Sequence, residues 1–545
     1  MTILVQGINK ETRANTILEI NQSAPVVVTD TIRTSEAAIF SESIEDDKSA
    51  ELAEIMATKK NVIIDTPIAL NSEVFATVNG QHITGTPTGV LLVGPDMANS
   101  TALRIAGNNS IISALNMDNP LLIADKTIKT TRQGAIGIEA HNVTVRNSLI
   151  TKMLHGIYVM SSGEWDGTLI DGNYVLDCIG AGMGPDDIES GWGEDKGDGI
   201  TVWGSSARVV NNFVSAMAGQ DCRVAFHAEG LPGSHSGKNP ATDEANFIYA
   251  NNHAIGTFRR HFVFEDVKRG IMSGNISAGG ATWWALALIQ TADVLVDGMI
   301  MKITRTAADN QGGHWNPQRA AIGLVNYSER CKIKNVRATW EADAAMGAFV
   351  STLKAAEGHP AHSQFTLEDS EFHMNPASLA RGVDITALTS PTIRNVDIYD
   401  CDQPVYGWRP KGKVVIDGLK ATRFKRPLYV EGNYQGSVEV VNSRFNNTDA
   451  TNGAQTAVNI IQTGRVAIKR TDIEGLNSLA AIGDISGSTT KISYLKDLAV
   501  MGCESVGQQA NVRIDNKTEA EVAATVNMVG NVGITGSFTT KPAAE

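Results

Sequence analysis

The sequence predicts an all-β chain wound as a parallel β-helix, a solenoid whose coils each lay short strands on three faces. Three observations carry this. The 545 residues exceed the span of one hydrophobic core, so the chain is several domains or a stack of repeats. The 51 glycines and low aromatic fraction suit short strands joined by tight turns. A loose repeat also runs from Asn61 to about Leu476, each unit a turn on Asn, Asp or Gly followed by alternating apolar residues.

Residues 1–60 read as an N-terminal attachment or neck segment. From Ser35, which is placed to cap, Ile39, Phe40, Ile44, Leu52, Ile55 and Met56 fall near a helical stripe. Such a helix packs either against copies of itself or on the domain that follows. Residues 61–476 form the solenoid. Anchored on Asn147, Asn173, Asn212, Asn252, Asn275, Asp297, Asn335, Asn395, Asp417 and Asn442, the shorter steps are roughly 20–26 residues, one coil each. Longer steps fit the same coil with a loop inserted. Asn tolerates the left-handed conformation and bonds its neighbour's backbone, so it suits a coil corner. A β-propeller, with repeats near 40 residues, is the competing fold. Residues 477–545 lose the corner signal and read as a capping or oligomerisation module, since open sheet edges invite association.

The organisation resembles that of bacteriophage tailspikes built on a pectate-lyase-like right-handed parallel β-helix. The likeness lies in the entry VIIDTPIALNSEVFATVNGQHI, the irregular coils and the distinct terminal segments. It implies a polysaccharide depolymerase that binds and cleaves bacterial capsule or O-antigen, a homotrimer, and attachment to the phage tail or another tail protein through the N-terminus. It transfers no catalytic residue, because neither a DPHE signature nor a GGxGxDxUx repeat is present.

A net charge of −13 argues against nucleic acid and anionic membranes as partners. The five scattered cysteines have no metal-ligand spacing and read as buried thiols. The N-terminus lacks the order of a signal peptide, and no apolar run reaches transmembrane length. The expectation is a virion protein made in the host cytoplasm without a signal peptide and without membrane insertion.

Polar and ionisable groups are densest between Asp195 and Arg269, on the blocks DKGDGITVWG, DCRVAFHAEG and RRHFVFEDVKRG. Aligned as successive strands, these put Ile200, Val224 and Phe262 in one inward column and Val202, Phe226 and Phe264 in another. Trp203, His227 and Glu265 then share one outward column, and Gly199, Arg223 and His261 a second. This register stacks His227 about 5 Å from Glu265 and sets Glu229 about 8 Å from Glu265 on the diagonal, the spacing of an inverting glycosidase.

The expected catalytic set is therefore Glu229, Glu265, His227, Arg223 and His261. One carboxyl acts as general acid and the other activates water. Trp203, Trp192, Asp198, Asp266, Arg260 and Trp284 are the expected substrate-binding residues, the tryptophans by stacking on sugar rings. Elimination on a uronate, with Arg223 neutralising the carboxylate and His227, His261 or Arg260 as base, is the alternative chemistry, and hydrolysis is slightly favoured. A non-catalytic receptor-binding spike is the alternative from another class. Outward positions of any solenoid are polar, which is the bland account of the same patch. No cofactor is expected, and no metal ligand is assigned. The acidic loop 186–195 offers carboxylates to Ca²⁺ but without regular spacing. Trp315 and Trp408 are more distant candidates for an extended groove.

Overall fold

The computed structural model describes residues 2–8, 15–21, 30–97, 100–123, 134–163, 165–180, 197–204, 206–220, 222–230, 246–304, 320–341, 347–352, 362–375, 380–433, 435–448, 453–483, 495, 497–516 and 525–540. Thr2–Ile8 and Asn15–Asn21 form an antiparallel hairpin. All other strand pairs among the described residues are parallel, and the fold is a parallel β-helix. Among the described residues one face is a ladder of 17 strands, from Val74–Ala76 to Ile534–Thr540, and the other two faces share 32 strands, joined where Thr366–His373 and Thr392–Tyr399 each span both.

Stacking puts like residues over like. Ile136, Ile157, Ile200, Phe226, Phe262, Leu286, Ile322, Val350 and Val383 form one column through nine coils, all fully buried. Each such side chain contributes roughly 1.5–3 kcal/mol of burial. At the corners two adjacent positions divide the work. The first is left-handed, held by Asn147, Gly172, Asn211, Asn251 and Gly274 at φ between 51° and 66°. The second points inward and bonds along the axis. The backbone N–H groups of Asn173, Asn212 and Asn252 donate to the side-chain oxygens of Asn212, Asn252 and Asn275 at 2.9–3.0 Å. These buried amides satisfy corner backbone that water cannot reach.

The N-terminal helix is shorter than expected. Helix α1 runs Ser49–Thr58, with Leu52 and Met56 fully buried against the first coils. Residues 34 and 35 are drawn away from helix by Asp65, which accepts from Thr34 Oγ1 at 2.9 Å and from Ser35 N and Oγ at 2.9 and 2.7 Å. The helix lies on the domain that follows it. Gln81 Nε2 donates to the Met56 and Lys59 carbonyls, both at 2.7 Å, satisfying acceptors that a helix C-terminus leaves open. The parallel ladders already begin at Thr31–Arg33 and continue beyond 476 through Ser478–Gly483, Asp497–Met501 and Ala510–Asn516. The expected boundaries at 60 and 476 therefore fall inside the stack. No helix among the described residues is long and apolar enough to cross a membrane. All five cysteines are buried, and none forms a disulfide.

Candidate functional site

Five consecutive strands of the 17-strand ladder build the site: β1 (His155–Val159), β2 (Asp198–Trp203), β3 (Cys222–Glu229), β4 (Phe258–Glu265) and β5 (Ala281–Ala292). Strands β3 and β4 pair Phe226 with Phe262, Ala228 with Phe264 and Glu229 with Glu265. Strand β2 places Ile200 under Phe226, Thr201 under His227 and Trp203 under Glu229.

The expected register is therefore corrected by two residues in β3. Glu229, not His227, sits in the column of Trp203 and Glu265, and His227 takes the diagonal. Val202 is followed by Ala228, and Ile200 by Phe226. A two-residue slip keeps every side chain on its face, so hydrophobic alternation does not detect it. In the observed register the Phe226 and Phe262 rings stack at 5.0 Å with planes 3° apart.

A second correction concerns the start of each strand, where the chain bends and the next residue turns inward. Gly199 takes that place in β2, where a Cβ would meet the Val214 side chain at 2.3 Å and the Ala225 carbonyl at 2.6 Å. His261 occupies it in β4 and leaves the expected outward column. It is fully buried, with Nδ1 2.6 Å from Ser277 Oγ and Nε2 3.1 Å from the Gly256 carbonyl. A carbonyl only accepts, so Nε2 carries the proton and Nδ1 accepts from the hydroxyl. Burial lowers its pKa to about 4, against the opposing pull of the Gly256 bond. Val224, expected inside, instead joins an outer apolar cluster with Val263, Trp284, Ala287, Ile289 and Ala320.

Two polar groups remain on the outer face. In the first, Nε2 of His227 lies 3.3 Å from Oε2 of Glu265 and 3.7 Å from Oε2 of Glu229. Trp203 Nε1 donates to that Glu229 oxygen at 2.5 Å. One donor atom from each of His227, Glu229 and Glu265 lies within 4.8 Å of the others, the spacing from which a metal ion is held. His227 is 2% exposed, whereas the glutamate side chains keep 13% and 20%.

In the second group, Arg223 Nε donates to Asp198 Oδ1 at 2.8 Å and its terminal nitrogen to Oδ2. Thr201 Oγ1 donates to Oδ2 at 3.0 Å, and His155 Nδ1 stands 3.6 Å from it. Desolvation pushes the Asp198 pKa up, but Arg223, with help from His155, outweighs it and holds the carboxyl well below the usual range. Asp198 is 1% exposed and bound from several sides, so its place is within the wall of the site.

Arg260 stands over Trp283 at 5.0 Å and Trp284 at 5.7 Å, while Arg259 stands over Trp283 at 4.9 Å. Trp284 itself is buried, leaving Trp283 as the partly exposed ring. Asp266 is also buried, at a left-handed corner, and accepts from Gln290 Nε2 at 2.7 Å. Trp192, Trp315 and loop 186–195 lie outside the described residues. Trp408 is 45% exposed, on a later strand of the same ladder. His155 was not anticipated, although HGIYV in β1 and DGITV in β2 share a pattern that announces the alignment of His155 with Asp198.

No family model and no curated protein matches the sequence. Among solved structures, the pre-mature gene product 12 of bacteriophage phi29 matches with a TM-score of 0.48 at 10% identity, over 92% of this chain and 73% of that one. The DFA-IIIase of Arthrobacter chlorophenolicus A6 matches with 0.45 at 10% identity, over 67% and 94%. The surface adhesin PfbA of Streptococcus pneumoniae matches with 0.43 at 11% identity, over 71% and 97%. At these values the reading of the site rests on its own residues.

Proposed function

We propose that the outer face of β2–β4 is the catalytic centre of a glycan depolymerase that hydrolyses a bacterial surface polysaccharide, capsule or O-antigen, at internal bonds. The observation that carries this is the stacking of Glu229 directly under Glu265, with carboxyl oxygens within 4.8 Å of each other beside Trp203 and His227. That separation is short of the roughly 6.5–9.5 Å in which inverting enzymes place a water, and nearer the roughly 5 Å of retaining ones. It thus supports retention where the sequence pointed to inversion. Glu229, its oxygen fixed by the Trp203 N–H, is the nucleophile. Glu265, the more solvent-open of the two, gives its proton to the leaving oxygen and later takes one from water.

Two placements weigh against elimination. The Arg223 guanidinium is engaged with Asp198, and both nitrogens of His261 are bonded inside the wall. Trp283, with Arg259 and Arg260 over it, lies six residues along β5 from Ile289, the partner of Glu265, and offers a ring for a sugar unit farther along the chain. Assembly as a homotrimer, attachment to a phage tail through the N-terminal residues, and a place on the virion belong to the same proposal. Incubation with purified surface polysaccharide of the host tests it. Shortened chains with new reducing ends and no unsaturated-uronate absorbance are expected. Appearance of that chromophore shows a lyase, and intact polymer bound to the protein shows a receptor-binding spike.

A further inference from the structure

We propose that His227, Glu229 and Glu265 form a three-ligand site for one divalent transition-metal ion of the zinc class. The observation that points to a ligand is His227. It is 2% exposed, yet neither ring nitrogen makes a hydrogen bond. Buried imidazoles ordinarily donate from one nitrogen and accept at the other. His261, one coil on and equally buried, shows that behaviour with both nitrogens bonded. His227 instead brings Nε2 to 3.3 and 3.7 Å from two carboxylate oxygens without a hydrogen bond to either.

The spacing fits an ion between these atoms. Zinc binds His nitrogen and carboxylate oxygen at about 2.0–2.2 Å, so ligand atoms on a tetrahedron lie about 3.4 Å apart. The two nitrogen–oxygen separations bracket that value, and the three donor atoms all fall within 4.8 Å. Three protein ligands leave one position open to water or a sugar hydroxyl. A nitrogen among only three ligands disfavours Ca²⁺, which takes 6–8 oxygens. The Trp203 N–H on Glu229 supplies the orienting bond that metal-binding carboxylates commonly receive.

The consequence rests on the hydrolytic reading above. The ion occupies the oxygens that reading uses for catalysis, so bound zinc and glycan cleavage exclude each other. The test is calorimetric titration of the chelator-stripped full chain with zinc chloride, with calcium chloride as the comparison. One zinc per chain is expected, weakened at least about tenfold in His227→Asn and in Glu265→Gln. The second variant changes a solvent-facing side chain and keeps the test alive if the first does not fold. Zinc also slows depolymerisation in proportion to occupancy. Absence of binding, equal affinity in wild type and Glu265→Gln, or tighter binding of calcium overturns the site. Stripped protein that cleaves glycan but binds no zinc leaves the hydrolase standing without the metal site. Protein that binds zinc, and cleaves glycan only then, keeps the site and overturns both the mutual exclusion and the metal-free carboxylate mechanism.

Discussion

Asp198→Asn isolates the most deeply placed charge of the site. The substitution keeps the shape of the side chain but removes the negative partner of Arg223, whose side chain is only 18% exposed. Thr201 and His155 also lose the carboxylate they face. Removing one member of a buried pair costs about 3–5 kcal/mol, because the remaining charge stays desolvated. In a stack, each coil draws stability from its neighbours, so the loss is expected first as opening of β2 and β3. Urea unfolding followed by circular dichroism, with hydrogen exchange over residues 198–203 and 222–229, reads both effects. Asp198→Asn combined with Arg223→Met recovers most of the loss, since no unpaired charge remains. Acid repeats the experiment in the wild type. The folded pKa is depressed, so the pair's contribution is complete above about pH 4 and disappears as pH falls through that depressed value. A loss below about 1 kcal/mol, or a double variant no more stable than the single one, refutes the reasoning.

Three further outcomes follow from the same geometry. His261 titrates near 4 in the fold against about 6.5 in the unfolded chain, which binds more protons between those values. Stability therefore falls as pH drops from about 6.5 to 4, by about 3 kcal/mol, and His261→Asn flattens that limb of the urea midpoint; an unchanged slope contradicts it. Asn252→Ala removes amide bonds to Val209 O at 2.8 Å and Asn275 Oδ1 at 3.2 Å and should lower stability by about 1–3 kcal/mol. A shift within about 0.5 kcal/mol makes the corner ladder decorative. Trp203→Phe deletes the donor that orients Glu229 and should lower kcat by about 10²-fold with little change in KM. A rise in KM alone assigns Trp203 to sugar stacking instead.

Much of the fold was legible because a solenoid writes its period into the chain. Corner residues such as Asn147, Asn335 and Asn442 are left-handed, whereas Asn173, Asn212, Asn252 and Asn275 take the inward place beside the corner, and Ile200 and Phe262 share an inward column through Phe226. Register was not legible. Sliding β3 by two residues exchanges Val224 for Phe226 inside and His227 for Glu229 outside without disturbing the apolar alternation. Both alternatives also stack two phenyl rings, Phe226 on Phe264 in the expected register and on Phe262 in the observed one, so aromatic pairing gives no warning either. The inward turn at the second position was half visible in Gly156 and Gly199, but His261 hides it because a polar residue suggests an outward place. Asp198 looked like a sugar ligand, yet its guanidinium partner is recognisable only once β2 and β3 are aligned. The end of the stack was misplaced because strands 497–501 and 525–529 continue the ladder with weaker corner signals.

The central claim is that Glu229 and Glu265 cut a glycan together. The most direct measurement is the rate of reducing-end release from the host's purified surface polysaccharide by wild type, Glu229→Gln and Glu265→Gln, with the folding of each checked by circular dichroism. The account predicts that each variant loses about 10²–10⁴-fold in kcat and still binds the polymer. Release at the wild-type rate by either variant contradicts it.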